Sequence, residues 1–454
     1  MTNYGDLFEV WFDGANGGDG WYGGANEIRS IDRRSYYDFS SIFRKVNHLQ
    51  PQAIIFSDGG PGCRWVGNEN GHAGETNWSF LIKSHVYPGY DKPYELQSGH
   101  ANGNQWSAAE CDVSIRPGWF YHSSEDLLVK SVSHLTELYY KSVGRNSTLL
   151  LNFPVDKTGR INPIDSTRAV QWYQQITNDL SNNLLKGIIP KATSCRGGKF
   201  HANNVTDNDY DTYWATPDGI NTGSLTFQLN EEKSIDCILI QEYIPLGQRV
   251  KSFNIEVKCN HVWLPVFIQE ETTTIGYKRI VRFPKVTTNA IRINFTDSRG
   301  PLTINNLEAY YTNTARFTEK SNIVAKSGYK YCLVDIPTEE AVKVNDGETQ
   351  TICNIKNLQV MFDLGVSRTI SGFDYLPDQS ESVKGMISSY ELYACDEYGK
   401  NQILLSRGEF ANIKNNPIWQ KITFKPVQSR YLLLKAIRSI NDDSGVSIAE
   451  CIIY

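Results

Sequence analysis

The sequence predicts a fold of mixed class: an α/β region that forms part of a (β/α)8 TIM barrel, followed by two all-β sandwiches. Apolar strand-like runs alternate with helix-like stretches up to about residue 185. Beyond about residue 190, short alternating strands separated by turn residues replace them, and one order of strand motifs occurs twice. At 454 residues the chain is long enough for about three domains.

The α/β region spans residues 1–185 and contains four predicted βα units. Strands are predicted at 7–13, 53–58, 111–115 and 148–153, and helices at 33–48, 124–141 and 165–182. Strands that alternate with helices predict a parallel sheet. A closed barrel of this type needs eight strands, so four units predict only part of one. We therefore expect a truncated barrel, or one that a complementing amino-terminal barrel fragment completes.

The two predicted sandwiches span residues 190–312 and 325–454. The motifs that open and close each copy are LTFQL (225–229) and INNLEAYY (304–311) in the first, and VMFDL (360–364) and SIAECIIY (447–454) in the second. Runs in which apolar residues alternate with polar ones predict strands with one buried face. Two divergent copies of about 120–140 residues have the size of β-sandwich domains.

Composition and charge exclude several classes of function. The chain has 45 basic and 50 acidic residues, a net charge of −5 and no long run of like charge, so we expect neither nucleic acid nor a membrane as partner. It contains no apolar run near the roughly 20 residues that a membrane span needs, and Met1 is not followed by a signal segment. The nine cysteines lack metal-ligand spacing, so buried free thiols are expected.

Two carboxylates are candidates for catalysis. Asp13 ends an apolar strand and precedes the glycine-rich GANGGDG, which predicts a position at the carboxyl-terminal mouth of the barrel. Glu69 lies in CRWVGNENGHAGETNW, on the loop after the next predicted strand. Two carboxylates that converge from neighbouring loops are what glycoside hydrolysis requires. From spacing alone, a turn-capping aspartate and a solvated loop glutamate, Glu69 or Glu75, explain the same residues equally well.

Four segments in the first 185 residues resemble successive blocks of the family 29 glycoside hydrolases: VWFDGANGG, RWVGNENG, AECDVSIRPGWFYH and VGRNSTLLLNFP. They are similar to the branch that acts on α-1,3- and α-1,4-linked fucose. The resemblance implies a retaining α-L-fucosidase acting on fucosylated oligosaccharides or glycoconjugates without a catalytic cofactor, in a periplasmic or extracellular setting. It implies that Asp13 is the nucleophile and that Glu69 is the acid and base, with Glu75 as the alternative acid.

Further residues of these blocks are candidates for contacting the sugar. Trp11 lies two residues before Asp13 and so shares its face of the strand; the resemblance implies contact with the fucose ring, and packing inside the barrel is the alternative. The other candidates, expected at the mouth of the barrel, are Arg64, Trp65, Trp106, Glu110, Trp119 and His122. The histidine pair that the resemblance leads us to expect on early barrel strands has no counterpart here.

The two sandwiches resemble discoidin-type domains, including family 32 carbohydrate-binding modules. TDNDYDTYW (206–214) and a glutamate of the closing strand are similar to the calcium positions of these domains, which implies four ligands of a structural Ca²⁺: Asp207, Asp209, Thr212 and Glu308. A plain Asx-turn is the alternative. The second copy offers NDGETQT (345–351) and Glu450. A non-catalytic carbohydrate-binding protein, or the inactive half of a split fucosidase, is the alternative to an enzyme.

Overall fold

In a computed structural model of the protein, every residue is described except 2, 4, 14–18, 21–26, 28, 313–327, 381–382, 411–412, 415–416 and 442. The chain divides into two compact units, Met1–Thr318 and Glu319–Tyr454. The first contains a parallel sheet and a large antiparallel sheet, and the second contains another antiparallel sheet. Each helix in the described ranges is too short or too polar to cross a bilayer.

The first part of unit 1 is built from short strands and four α-helices. They are β1 (Glu9–Trp11), β2 (Asp19–Gly20), β3 (Arg29–Ser30), α1 (Phe39–Leu49), β4 (Ile54–Ser57), β5 (Cys63–Trp65), β6 (Phe80–Leu81), α2 (Pro93–Ser98), β7 (Gln105–Trp106), β8 (Ala108–Ser114), α3 (Val132–Ser142), β9 (Ser147–Asn152) and α4 (Pro163–Asp179). Five strands form a parallel sheet in the order β1-β4-β5-β8-β9. The short pairs β2-β3 and β6-β7 are antiparallel.

This parallel sheet confirms the predicted partial barrel, with one difference. Strand β5 was not predicted, because three residues are too few to show a periodicity. It pairs with β4 on one side and β8 on the other, so Glu69 follows β5 rather than β4. The predicted helix at 124–141 is also shorter: α3 begins after Ser131, whose side chain accepts a hydrogen bond from the backbone N–H of His134 at 3.1 Å.

The rest of unit 1 is the first sandwich. Its strands are β10 (Lys191–Ala192), β11 (Trp214–Ala215), β12 (Gly223–Glu242), β13 (Val250–Cys259), β14 (Val262–Pro265), β15 (Arg279–Ser298) and β16 (Thr303–Tyr310). They follow the order β11-β16-β12-β15-β13-β14, with β10 beside β12. Alternate residues such as Leu225, Phe227 and Ile293 are fully buried, as expected of strands that cover a core with one face.

Unit 2 repeats this neighbour order. Its elements are β17 (Cys332–Leu333), α5 (Thr338–Ala341), β18 (Cys353–Ile355), β19 (Gln359–Leu376), β20 (Ile387–Cys395), β21 (Ile403–Glu409), β22 (Gln420–Ser439), β23 (Val446–Ile448) and β24 (Glu450–Ile453). The order β17-β19-β22-β20-β21, with β24 beside β19, matches β10-β12-β15-β13-β14 with β16 beside β12. All nine cysteines are free, and five are buried: Cys63, Cys111, Cys237, Cys353 and Cys451.

Candidate active site

Two aspartates lie at the carboxyl ends of the neighbouring strands β1 and β4. Asp13 is exposed just beyond β1, and Asp58 directly follows β4. Burial raises the pKa of Asp58, and the negative charge of Asp13 adds to this effect. Trp11 and Phe56, which pair in the sheet, stack with ring centroids 4.8 Å apart. The strand end thus presents two carboxyl groups beside an aromatic pair; residues 14–18 of the glycine-rich segment lie outside the described residues.

A second pair of carboxyl groups lies beyond β5 and on β8. The indole N–H of Trp119 donates to Oε2 of Glu69 at 3.0 Å, and that of Trp65 donates to Oδ1 of Asp112 at 2.8 Å. Asp112 is only 4% exposed. Burial raises its pKa to about 7, with a further contribution from the negative charge of Glu69. Glu69 and Asp112 are therefore neighbours, and each is oriented by a tryptophan.

The two groups of carboxyls share one edge of the sheet. Strands β1 and β5 are parallel and separated only by β4, and their carboxyl ends carry Asp13 and Glu69 respectively. In barrels of this architecture, this is the edge where catalytic residues lie. His122 also lies here, after β8, and it lines a concavity of about 450 Å³ with Asp156, which follows β9. One carboxyl at the end of β1 and another beside hydrogen-bonding indoles suit nucleophilic and acid–base chemistry.

Glu110 lies deeper in the sheet. It sits on β8 two residues before Asp112 and so shares its face, but not its position at the mouth, where it was predicted. Glu9, Cys63 and Glu110 form a cluster whose potential ligand atoms all lie within 4.8 Å of one another. The thiol of Cys63 donates to Glu9 at 3.6 Å. Burial, followed by the negative charge of Glu9, raises the pKa of Glu110 to about 7.

Two predicted sugar contacts, Arg64 and Trp106, are wrong in position. Arg64 is fully buried; its guanidinium donates to the carbonyl of Leu96 at 2.8 Å, to the carbonyl of Ser107 and to Asn77 Oδ1 at 2.7 Å. It lies within β5, and its donors fasten the β5–β8 connection. Trp106 precedes β8, at the amino-terminal edge opposite the mouth, where its ring packs edge-on against Phe80.

Comparison with known proteins agrees with this geometry. A solved structure of a glycoside hydrolase family 29 member from an unknown rumen bacterium is 35% identical, with a TM-score of 0.59, and the match covers 100% of this chain and 73% of that chain. The chain belongs to glycoside hydrolase family 29. The α-L-fucosidase 1 of Arabidopsis thaliana is 37% identical over 292 residues, covering 63% of this chain and 54% of that protein.

A Ruminococcus gnavus family 29 fucosidase, solved in complex with fucose, is 29% identical with a TM-score of 0.57; the match covers 67% of this chain and 60% of that one. The F5/8 type C domain family matches residues 190–308 and 337–451, where the two antiparallel sheets lie. This family 29 chain spans about half the length of the curated relatives it matches.

Sequence reasoning missed two carboxyls at this edge of the parallel sheet, Asp58 and Asp112. Asp58 ends the run IIFSD in the same way as Asp13 ends EVWFD, so the signal that selected Asp13 was present twice. Asp112 lies two residues beyond Glu110, and the two-residue period of a strand places it on the same face and nearer the mouth. Both could have been found by marking every acidic residue at the end of a predicted parallel strand.

The alternative acid, Glu75, has a different environment. Its Oε2 accepts a hydrogen bond from the backbone N–H of Glu271 at 2.8 Å, and its Oε1 pairs with Arg145 at 3.4 Å. Glu271 belongs to the first sandwich. Glu75 thus ties the α/β region to that sandwich, whereas Glu69 accepts a hydrogen bond from Trp119.

The predicted calcium positions form a turn that the chain contains twice. In the first sandwich, Thr212 Oγ1 donates to Asp207 Oδ2 at 2.7 Å, and the N–H of Asp209 donates to Asp207 Oδ1 at 2.9 Å. The bonds among Asp346, Glu348 and Thr351 in unit 2 follow the same pattern. Glu450 reaches this second turn, where its Oε1 accepts from the N–H of Gly347 at 2.7 Å. In the first copy, Glu308 accepts from Tyr310 at 2.6 Å.

Proposed function

We propose that the chain is the carboxy-terminal part of a retaining α-L-fucosidase that removes terminal α-1,3- or α-1,4-linked fucose from glycans. Family membership and the fucosidase names of its relatives support this proposal. The observation that carries it is the placement of Asp13 and Glu69 at the same edge of one parallel sheet, with Asp58 and Asp112 beside them.

In the proposed first step, the carboxylate of Asp13 attacks the anomeric carbon while the bond from that carbon to the leaving oxygen breaks. The leaving oxygen takes the proton of Glu69. In the second step, Glu69 takes a proton from water, the water oxygen attacks the anomeric carbon, and the ester to Asp13 breaks. Two displacements retain the anomeric configuration. The indole N–H groups of Trp119 and Trp65 orient the acid and its neighbour Asp112.

The sheet needs further strands for this chemistry. Among the strands that the structure describes, β1 and β9 each pair on one side only. A barrel of this class has eight strands, so about three more βα units would close it, as part of a longer chain or as a separate fragment. We expect these units to supply the remaining wall of the sugar pocket. Fucose release by chain 1–454 should therefore be far slower than by the same chain with those units added.

The direct test is hydrolysis of an aryl α-L-fucoside by chain 1–454 and by a chain extended at its amino end by the missing units. We expect Asp13→Ala to abolish turnover. We expect Glu69→Gln to slow release of a poor leaving group much more than release of 4-nitrophenol, which leaves without protonation. Turnover that survives Asp13→Ala would refute the mechanism.

A second candidate function, glycan binding without catalysis, is favoured by a concavity of about 660 Å³ in unit 2. Tyr398 is 76% exposed at its wall, and Asn357, Gln359 and Glu397 offer polar groups around it. An exposed ring beside hydrogen-bonding side chains suits a sugar face. Calorimetric titration of the whole chain with fucosylated oligosaccharides should lose its heat of binding in Tyr398→Ala and keep it in Tyr94→Ala, a change of another exposed tyrosine, in unit 1.

We also propose structural calcium at the repeated turns and an extracytoplasmic setting. Carboxylate and hydroxyl oxygens at Asp207, Asp209 and Thr212 form a donor set that suits Ca²⁺. Glu308, the fourth predicted ligand, would have to release its hydrogen bond from Tyr310 to join them. Added Ca²⁺ should raise the melting temperature of the parent but not of Asp207→Asn. An unchanged melting temperature in the parent would refute the proposed calcium site.

Fractionation of the producing cells tests the proposed extracytoplasmic setting: activity outside the cytoplasm is expected.

A further inference from the structure

The loop that carries Glu69 is hydrogen-bonded to the first sandwich along its second half. The backbone N–H of Asn77 donates to Thr274 Oγ1 at 2.7 Å. The side chain of Gln248 makes two of these bonds. Its Oε1 accepts a hydrogen bond from the backbone N–H of Ser79 at 2.7 Å, and its Nε2 donates to the carbonyl of Asn77 at 2.8 Å. Arg279 donates to the carbonyl of Glu75 at 2.9 Å. Backbone groups of the loop are thus satisfied by side chains of the sandwich.

These contacts lie in the interior of unit 1. Asn77, Ser79, Gln248 and Thr274 are each at most 2% exposed. Buried backbone groups cost free energy when they lose their partners, so the loop is constrained at each of these bonds. An ordinary interdomain surface, by contrast, is wet and polar and leaves domains free to move. The first sandwich therefore behaves as part of the scaffold of the α/β region.

The first half of the loop connects Glu69 to residues 73–79, the segment that is hydrogen-bonded to the sandwich. Asn68 accepts from the N–H of Asn70 at 3.0 Å and donates to the carbonyl of His72 at 3.0 Å, which closes a compact turn around Glu69. At Gly71, φ is +75°, and an added Cβ would lie 2.9 Å from Val113 of β8. Glu69 thus sits in a turn pressed against β8 at one end and fixed by the sandwich at the other.

We propose that the first sandwich is a positioning domain for Glu69, acting through Thr274, Gln248 and Arg279 on residues 73–79. These three are positioning residues, because their contacts reach the loop and not the sugar. The inference rests on the proposed function of Glu69. It assigns the F5/8 type C-like domain of unit 1 a role in catalysis that is independent of any ligand the domain itself binds.

A displaced Glu69 should change how kcat depends on the leaving group, whereas a general loss of structure should lower kcat for all substrates alike. A good leaving group departs without a proton, so its release depends little on where Glu69 lies, whereas a poor leaving group requires it. Loss of the hydrogen bonds from the sandwich to residues 73–79 should therefore lower kcat for a phenyl or alkyl fucoside more than for 4-nitrophenyl fucoside. A displacement of about 1 Å can cost about a hundredfold in rate. KM should change little, since the three positioning residues contact the loop and not the sugar.

Thr274→Val is the sharpest perturbation, because it preserves shape and removes only the oxygen that accepts from Asn77. The matched control is Arg282→Gln. Arg282 also joins the sandwich to the α/β region, through a bidentate pair with Glu137 at 2.6 and 2.8 Å, but it reaches helix α3 and not the loop. Both variants should be made in chain 1–454 and in the extended chain, and compared by leaving-group dependence and by amide hydrogen exchange of residues 66–79.

We expect Thr274→Val to speed amide exchange in residues 66–79 and to lower kcat for the poor leaving group at least tenfold more than for 4-nitrophenyl fucoside. Arg282→Gln should do neither, even if its melting temperature falls as much. Equal exchange and equal leaving-group dependence in the two variants would overturn the inference. If the parent releases no fucose from either substrate, the proposed function fails, and the exchange measurement alone decides whether the sandwich restrains the loop.

Discussion

Replacing Asp112 by asparagine should change how the stability of the protein depends on pH. Asparagine keeps an Oδ1 acceptor for the indole N–H of Trp65 but cannot ionise. In the folded protein, burial and then the charge of Glu69 raise the Asp112 pKa from 3.8 to about 7. The folded state therefore holds this proton over a range of pH in which the unfolded chain has released it.

Because the folded state has the higher Asp112 pKa, the stability that Asp112 contributes falls as pH rises. Below pH 3.8 both states are protonated, so Asp112 contributes all the stability it can. As pH rises towards the folded value of about 7, that contribution is lost, and at about 1.4 kcal/mol per pH unit the total loss is about 4 kcal/mol. Asp112→Asn removes the titration, so its stability relative to the parent should grow by about this amount between about pH 4 and pH 8.

Urea unfolding followed by tryptophan fluorescence, at several pH values, measures this change. Glu69→Gln and the double variant complete a cycle: with the charge of Glu69 removed, Asp112→Asn should have a smaller effect. A difference in unfolding free energy that does not change with pH, or that grows towards acid pH, would refute the conclusion that burial raises the pKa of Asp112. We also expect Asp112→Asn to alter the pH profile of turnover, because the variant removes a group beside Glu69 that gains its charge as pH rises through about 7.

Three further predictions concern stability and are tested by urea unfolding. Glu110→Gln should stabilise the protein increasingly as pH rises towards about 7, because burial and Glu9 raise the pKa of Glu110. Asp165→Asn should cost about 3–5 kcal/mol, since it breaks a fully buried bidentate pair with Arg116. Phe227→Ala should cost about 3–5 kcal/mol, as expected of a large cavity in the core of the first sandwich. Each is contradicted by a change of the opposite sign.

The sequence predicted the fold class because its two periodicities are strong. Strands β4 and β9 contain short continuous apolar runs next to polar residues, and the sandwich strands alternate. Strand β5 was missed because three residues carry no period. The predicted runs LTFQL and VMFDL are only the first parts of β12 and β19, because polar residues at the bulges that follow look like turns in the sequence while the backbone continues through them.

The site was predictable where a residue ends a strand and unpredictable where a long-range partner decides its role. Asp13 lies at the end of the predicted first strand, whereas Trp65 lies within β5, which was not predicted. Arg64 could not be distinguished from a sugar-binding arginine, because two of its three acceptors, Leu96 and Ser107, are more than 30 residues away along the chain. Glu75 could not be separated from Glu69 for the same reason, since its partner Glu271 belongs to another domain.

Trapping of the glycosyl-enzyme intermediate directly tests the proposed role of Asp13 as nucleophile. A 2-deoxy-2-fluoro fucosyl donor slows both displacements, and an activated leaving group lets the first proceed, so the ester to the nucleophile accumulates. Mass spectrometry of the extended chain should show one added fluorofucosyl group, on the peptide that contains Asp13, and no adduct in Asp13→Ala. An adduct on any other residue, or turnover of the natural sugar without an adduct, would contradict the assignment of Asp13 as nucleophile.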